Sequence, residues 1–336
     1  MKAVQFDRFG EPTDVLRVDD VAIPTLERGE VRVRILGSPI NPSDLMMVRG
    51  LYSKIPELPA TPGFEGVGVV ESGATGFLGK YLAGKRVAVL NAKTGSWGEL
   101  AVVSARQAIP LASDIPFEQA AMFFVNPATA YVMTRRVLLV PTGAWLLQTA
   151  AGSALGRMII RLGRRFGFRT LNVIRRDQQV DELKAIGGDE VICFDSERHD
   201  ANTLRESVMR ITNNKGVRFA IDAVGGTTGS AAIGCLAIGG RMLVYGTLAG
   251  DPLSFPPREL MTPGASIQGF WLARWMAEQG LLSKLRLVKA ITGLMRQGVL
   301  VSEVGETYAL AEIRDAVHKA EEVGRGGKVL LRIAEA

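Results

Sequence analysis

The chain has 336 residues, 47% of them hydrophobic and 22% charged, with 38 glycines, a balance that fits folded domains with sizeable cores and excludes collagen-like, low-complexity or disordered character. Two domains are expected at this length, and a cleft shared by them is the natural place for chemistry. A net charge of +6 from 40 Lys+Arg against 34 Asp+Glu leaves nucleic acid open as a partner on charge alone, while the two cysteines, Cys193 and Cys235, offer no disulfide framework and read as buried thiols.

The start, MKAVQFDRFG, reads as a strand rather than as a charged segment followed by an apolar run, so no secretory or transit segment is expected. No uninterrupted apolar stretch approaches the roughly 20 residues needed to span a bilayer, and a cytoplasmic protein with no membrane partner is the expectation. VRVRIL, GVGVVES and KRVAVL follow as short strands rich in Val and Ile between Gly and Pro punctuation, which resembles a small barrel-like lobe. From about residue 120 apolar strands alternate with amphipathic helices, the mark of a parallel sheet covered on both faces. AWLLQTA reads as a strand, SALGRMIIRLGRRFG as a helix, RTLNVIRR as a strand and QQVDELKAIGG as a helix ended by its glycine pair. VICF, a helix through TLRESVMRI, then RFAIDAV and GCLAIGGRMLVYG continue the pattern. An α/β chain follows, with a doubly wound parallel sheet over 121–267 and a β-rich lobe over 1–120 and 268–336, to which the last strand KVLLRI returns.

Much of the positive excess sits in one run. Arg157, Arg161, Arg164 and Arg165 share a helix face opposite Leu155, Met158, Ile159, Leu162 and Phe166, with Arg169 just beyond. A solvated basic face is the plain reading, and attraction of an anionic cofactor or thioester carrier is the other.

Straight after AWLLQTA comes Ala150-Ala151-Gly152-Ser153-Ala154-Leu155-Gly156, small residues that lead into a helix. Such a turn lets backbone approach a dinucleotide pyrophosphate closely, and the helix N-terminus offers N–H groups and positive partial charge. Ala154 stands where a glycine is common, so a tight turn without a ligand is the alternative. The next strand ends at Arg175 and Arg176, with Arg175 placed 23 positions after Gly152, where an acid would hold a ribose 2′-hydroxyl. Two guanidiniums there favour a 2′-phosphate and hence NADPH, whereas ribose binding by Asp177 would give an NADH enzyme. Val224 and Gly225 in Asp222-Ala223-Val224-Gly225-Gly226, together with Tyr245 and Gly246, follow later strands and are expected to line the nicotinamide half.

Four strings, Ile40-Asn41-Pro42-Ser43-Asp44, Pro56-Glu57-Leu58-Pro59-Ala60, Val125-Asn126-Pro127 with Thr129-Ala130, and Gly269-Phe270-Trp271-Leu272, carry a family resemblance. Over essentially its whole length the chain resembles the medium-chain dehydrogenase/reductase superfamily, in which a Rossmann domain interrupts a GroES-like catalytic domain. Within it the strings look like the 2-enoyl thioester reductases of mitochondrial fatty acid synthesis and their bacterial relatives. Zinc-dependent members carry a cysteine at the position of Asn41 and a His-Glu pair where this chain has Phe64-Glu65. Asparagine and phenylalanine do not replace thiolate and imidazole, and His199 and His318 are the only histidines, so no metal is expected.

The resemblance implies NADPH-dependent reduction of a carbon–carbon double bond conjugated to a carbonyl, with a trans-2-enoyl thioester of CoA or a carrier protein as substrate. It implies Tyr52, in Arg49-Gly50-Leu51-Tyr52, as proton donor, and Asn41 as a hydrogen-bonding partner of substrate or cofactor. It also implies Asn126 and Thr129 beside the nicotinamide, the latter entering helix TAYVM after an Asn126-Pro127 turn. Phe270, Trp271 and Leu272 would form an apolar wall, with Trp271 against the reacting groups, and Lys328 would lie near the cofactor. On the residues alone, Tyr52 could be a packing ring, Asn41 a turn residue, Trp271 part of the core and Lys328 an exposed loop lysine. A quinone, small enone or haloacrylate reductase of the same fold is the second reading. A non-catalytic NADPH-binding or nucleic-acid-binding protein is a reading from another class, without any aromatic-interleaved basic motif to support it. The resemblance further implies a homodimer, with Arg241 to Gly250 as the candidate sheet edge.

Overall fold

In chain order the strands are β1 (Lys2–Gln5), β2 (Arg17–Asp20), β3 (Glu30–Pro39), β4 (Glu65–Val70), β5 (Arg86–Leu90), β6 (Leu100–Ser104), β7 (Ala108–Pro110), β8 (Trp145–Gln148), β9 (Arg169–Ile174), β10 (Glu190–Cys193), β11 (Val217–Asp222), β12 (Leu236–Val244), β13 (Ser266–Gly269), β14 (Val304–Ala309) and β15 (Lys328–Arg332). They belong to a computed structural model that describes residues 1–53, 55–71, 76–90, 93–324 and 326–334 and divides into two units, 1–125 with 302–336, and 126–301.

In the first unit a sheet runs β14-β15-β3-β4-β5-β7, with β6 also on β3, and β1 and β2 form a separate antiparallel pair. Alternation along β3 buries Val31, Val33 and Ile35 against Val70, Val87, Val89 and Val103. An irregularity between Ile35 and Gly37 shifts the register on β4, and β15 takes up pairing from Gly37 onward. Glycine is required at 37, because a Cβ there would lie 2.6 Å from the Phe117 ring. A second core joins Val4, Phe6, Leu16, Ile40 and Trp97 to Ile313 and Val317 of the helix Ile313–Glu321, with Tyr52, Leu58 and Phe64 packed at its margin.

In the second unit six strands run β10-β9-β8-β11-β12-β13, every pairing parallel. Strands covered on both faces need no polar alternation, and in β9 every residue from Thr170 to Ile174 is buried. The helix Ala154–Phe166 buries Leu155, Met158, Ile159 and Leu162 and stops at Gly167, whose φ of 76° closes it in the left-handed region.

Three sequence expectations change. The chain returns to the first unit at Ser302 rather than at about residue 268. The reason is pairing: β13 adds to β12, and Arg161 and Arg165 of the helix Ala154–Phe166 donate to Val301 O and Gln297 Oε1, holding the segment after β13 in the second unit. For the same reason 241–250 is not a sheet edge, since β13 covers β12 and is itself the outermost strand on that side. Finally, Asn126 and Pro127 are no turn; they lie in the first turn of the helix Val125–Val132, where a proline costs no hydrogen bond. Among the described residues no helix is long and apolar enough to cross a membrane.

Candidate functional site

The second unit concentrates its candidate residues by topology. In a parallel sheet all C-terminal strand ends lie along one edge, and here β8 leads to Ala151–Leu155, β9 to Arg175 and Arg176, β11 to Val224 and Gly225, β12 to Tyr245 and Gly246, and β13 to Phe270–Leu272. The strand order reverses at β8, which has β9 on one side and β11 on the other, and such a switch point is where doubly wound sheets hold ligands.

Around β8 the turn is built for close approach. Ser153 caps the helix, its Oγ accepting from Gly156 N–H at 3.1 Å. A Cβ on Gly156 would lie 2.4 Å from Ala151 O, so glycine there lets the helix meet its own strand turn. The amide end of Gln179 lies against Gly152, 2.2 Å from where a Cβ would stand, so Gln179 joins the turn residues although the strand–helix pattern gave no sign of it. The first N–H groups of the helix have no i−4 carbonyl and suit an anion. Arg175 and Arg176 are exposed at the end of β9.

The loop after β11 is held by a buried carboxylate. Asp222 Oδ1 accepts from the Thr149 hydroxyl at 2.5 Å and from Val224 N–H at 3.1 Å, and Oδ2 accepts from Gly225 N–H at 2.9 Å. Thr149 Oγ1 in turn accepts from Ala223 N–H at 3.0 Å, so the loops after β8 and β11 are tied together. Gly225, at φ 74° and ψ −155°, occupies a backbone region that only glycine adopts readily. Burial, and after it the Asp222 carboxylate, pushes the Tyr245 phenol up. Trp271 is 41% exposed at the N-terminal end of the helix Leu272–Ala277, which removes it from the core. Phe270 and Leu272 are half-buried, and Thr129 is buried in the helix that also carries half-buried Asn126.

The basic run is only partly solvated. Arg157 pairs with Glu182 at 2.5 Å, and both it and Arg161 are half-buried, whereas Arg164, Arg165 and Arg169 are exposed. Cys193 is half-buried rather than buried, and burial pushes its thiol up to about 11 and that of Cys235 up to about 12, away from reactive thiolate.

In the first unit Asn41, Asp44, Glu65 and Lys328 are all buried. Asn41 stands at the N-cap position of the helix Pro42–Val48 without a side-chain cap bond, and Asp44 accepts from Asn41 N–H at 2.7 Å through Oδ2 and from Phe64 N–H at 2.9 Å through Oδ1. Glu65 Oε1 accepts from Asn41 Nδ2 at 3.0 Å, and Oε2 accepts from Phe124 and Val125 N–H at 3.2 and 2.9 Å. Burial pushes the Asp44 carboxyl up to about 7 against the pull of those two backbone bonds, and burial raises Glu65 as well. The Lys328 charge lowers both, and this lysine heads β15 with 4% exposure, so it is no exposed loop residue. Tyr52 is half-buried, with its ring centroid 4.9 Å from that of Phe64. The residues that the sequence reading passed over, Asp44, Glu65, Asp222 and Thr149, are buried polar groups that hold candidates in place. The one available signal was an acid three residues after Asn41, the spacing of a helix cap.

Zinc does not fit. Phe64 has no donor atom, the Asn41 amide nitrogen is committed to Glu65, and among the described residues no three His, Cys, Asp or Glu side chains group to hold a metal ion.

Comparison with known proteins agrees with this architecture. Residues 27–113 match the alcohol dehydrogenase GroES-like domain, and residues 154–286 match the family described as zinc-binding dehydrogenase. The mitochondrial enoyl-[acyl-carrier-protein] reductase of Xenopus tropicalis is 33% identical over 333 residues, covering 95% of this chain and 92% of its own. A Bacillus thuringiensis chain described as an NADPH:quinone reductase superposes with a TM-score of 0.91 at 34% identity, with 99% of each chain covered. The Etr1p structure with NADP and crotonyl-CoA gives 0.81 at 27% identity, covering 98% of this chain and 99% of that one. With this likeness along both units, and with a phenylalanine and a committed asparagine where zinc ligands would stand, the chain belongs to the zinc-independent branch of the medium-chain dehydrogenase/reductase superfamily.

Proposed function

We propose that the protein is an NADPH-dependent reductase of carbon–carbon double bonds conjugated to a carbonyl, with trans-2-enoyl thioesters as its substrate class. The observation that carries this reading is the 33% identity with an enoyl-[acyl-carrier-protein] reductase along 95% of the chain. Tyr52 beside Phe64 supports it, because a half-buried phenol there offers a proton where a metal-dependent relative would offer a Lewis acid.

In this reading Ala151–Leu155 receive the pyrophosphate, Arg175 and Arg176 the 2′-phosphate, and Val224, Gly225, Tyr245, Gly246, Asn126 and Thr129 the nicotinamide half. Held there, NADPH would supply the hydride that Cβ of the substrate takes, with the C=C π electron pair passing to Cα. The Tyr52 hydroxyl delivers a proton to Cα and regains one from solvent. Phe270, Trp271 and Leu272 supply apolar surface for the acyl chain. A cytoplasmic homodimer completes the proposal, with β13, the outermost strand beyond β12, as the candidate for pairing between subunits.

A quinone or small enone reductase is the second reading, favoured by the 34% identity with a chain described as an NADPH:quinone reductase. Steady-state NADPH oxidation separates the two. We expect crotonyl-CoA to exceed a simple quinone in kcat/KM by about a hundredfold or more, and a hundredfold preference for the quinone would overturn the thioester assignment.

Cofactor choice has its own test. Replacing Arg175 and Arg176 together by alanine is expected to raise the KM for NADPH by roughly ten- to a hundredfold, as loss of charge-assisted bonds implies, and to leave that for NADH nearly unchanged. An NADPH KM that barely moves removes the 2′-phosphate role.

A further inference from the structure

We infer that Glu65 is a positioning residue that decides which end of the Asn41 amide a ligand meets, so that Asn41 presents its carbonyl oxygen and takes an N–H or O–H donor from the nicotinamide riboside end of the cofactor. The inference deepens the NADPH-dependent reading above and rests on it.

The Glu65 carboxylate is surrounded by donors. Phe124 and Val125 N–H can only donate, and both point at Oε2, which fixes the carboxylate in place. With Oε2 taken by those two N–H groups, Oε1 is left to the Asn41 amide, whose nitrogen end donates to it at 3.0 Å. Asp44 removes the remaining freedom by holding the backbone N–H of Asn41 and that of Phe64, the residue before Glu65. The other end of the amide is then determined. Asn41 is 2% exposed, and its Oδ1 is buried without a hydrogen-bond partner among the described residues. Buried acceptors are rarely left unmet, so an orphaned one with a fixed orientation points to a donor brought by a ligand.

This polarity selects among the groups of the reaction. The thioester carbonyl, and the oxyanion that develops on it, are acceptors and would face another acceptor. The nicotinamide carboxamide and the ribose hydroxyls are donors. Asn41 is therefore a cofactor residue and not a stabiliser of the substrate oxyanion.

The test is Glu65→Gln in the full chain, with Kd for NADPH read from nicotinamide fluorescence. The glutamine oxygen stays with the two backbone N–H groups, its nitrogen faces Asn41, and the Asn41 amide turns over to present N–H to the cofactor. NADPH Kd is expected to rise about tenfold or more, the factor that one lost hydrogen bond commands. Asn41→Ala should weaken NADPH similarly, and adding Glu65→Gln to Asn41→Ala should cost nothing further. If instead Glu65→Gln costs the same factor with or without Asn41, Glu65 does not act through the amide, and the inference is overturned.

The acetylpyridine analogue of NADPH, which has a methyl ketone in place of the carboxamide, identifies the donor. If the carboxamide donates, the preference for NADPH over the analogue collapses in Glu65→Gln; if a ribose hydroxyl donates, Glu65→Gln weakens both ligands equally. Either result supports an acceptor at Asn41. Should Glu65→Gln fail to fold, hydrogen exchange of the Asn41 carboxamide in wild-type chain labelled with 15N-asparagine gives the same decision. Slow exchange with and without NADPH is expected, and protection that appears only with NADPH would place the nitrogen on the ligand and overturn the inference. A wild-type chain that binds no NADPH overturns the parent reading, which the variant comparison alone does not do.

Discussion

Tyr52→Phe is expected to lower turnover of the best enoyl thioester by one or more powers of ten while Kd for NADPH and the thermal midpoint stay nearly constant. The substitution keeps the ring that packs at 4.9 Å on Phe64 and at the margin of the core built from Ile40, Leu45 and Trp97, and it deletes only the hydroxyl. A positioned general acid contributes roughly 10²- to 10⁴-fold, so its loss should appear in kcat and kcat/KM together. Stopped-flow and steady-state NADPH oxidation with crotonyl-CoA measure it. Unchanged turnover would remove Tyr52 from the chemistry, and a lowered melting temperature with proportionate loss of activity would make it a packing residue. The same variant separates the two functional readings, because a quinone can take its proton from water and should lose little.

Asp222→Ala is expected to cost about 3–5 kcal/mol of stability, because three buried donors lose their acceptor at once. Asp222 is 0% exposed and accepts from the Thr149 hydroxyl and from the N–H groups of Val224 and Gly225. Alanine would leave those three donors buried and unmet, at about 1–3 kcal/mol each before relaxation. NADPH binding should weaken as well, since this one carboxylate sets the loop after β11 and, through Thr149, the turn after β8. Urea denaturation at fixed pH reads the stability change. A loss below about 1 kcal/mol would mean that the loops find other partners and that Asp222 is not their anchor. Thr149→Val should give a smaller effect of about 1–3 kcal/mol, because Val224 and Gly225 keep their acceptor.

The doubly wound unit was legible because its signals are local. Apolar runs such as AWLLQTA and RTLNVI, each followed by small residues or charges, mark both the strand and the edge at which its loop emerges. The parallel order then brings Ala151–Leu155, Arg175, Arg176, Val224, Gly225, Tyr245 and Gly246 to that edge without further information. The segment after residue 268 was less legible, since amphipathic helices record that they have an apolar face but not which unit covers it. Arg157 and Arg161 show the same limit from the charged side: helical spacing puts them on a basic face, but Glu182 and Val301 O lie on other elements.

By itself the sequence determined the two kinds of unit, the strand and helix pattern of the second, and the absence of zinc-ligand chemistry at positions 41 and 64, all of which follow from residue type and short-range period. Tertiary structure alone decided that the chain leaves the second unit only at Val301 and that β13 covers β12. It also decided that Asn41, Glu65 and the Phe124-Val125 backbone form one buried hydrogen-bonded group. The physical reason is the range of the interactions. A cap or a turn is written within four residues, but whether a carboxylate is solvated or pins an amide depends on partners 24 and 60 positions away, which only the folded chain brings within 3 Å.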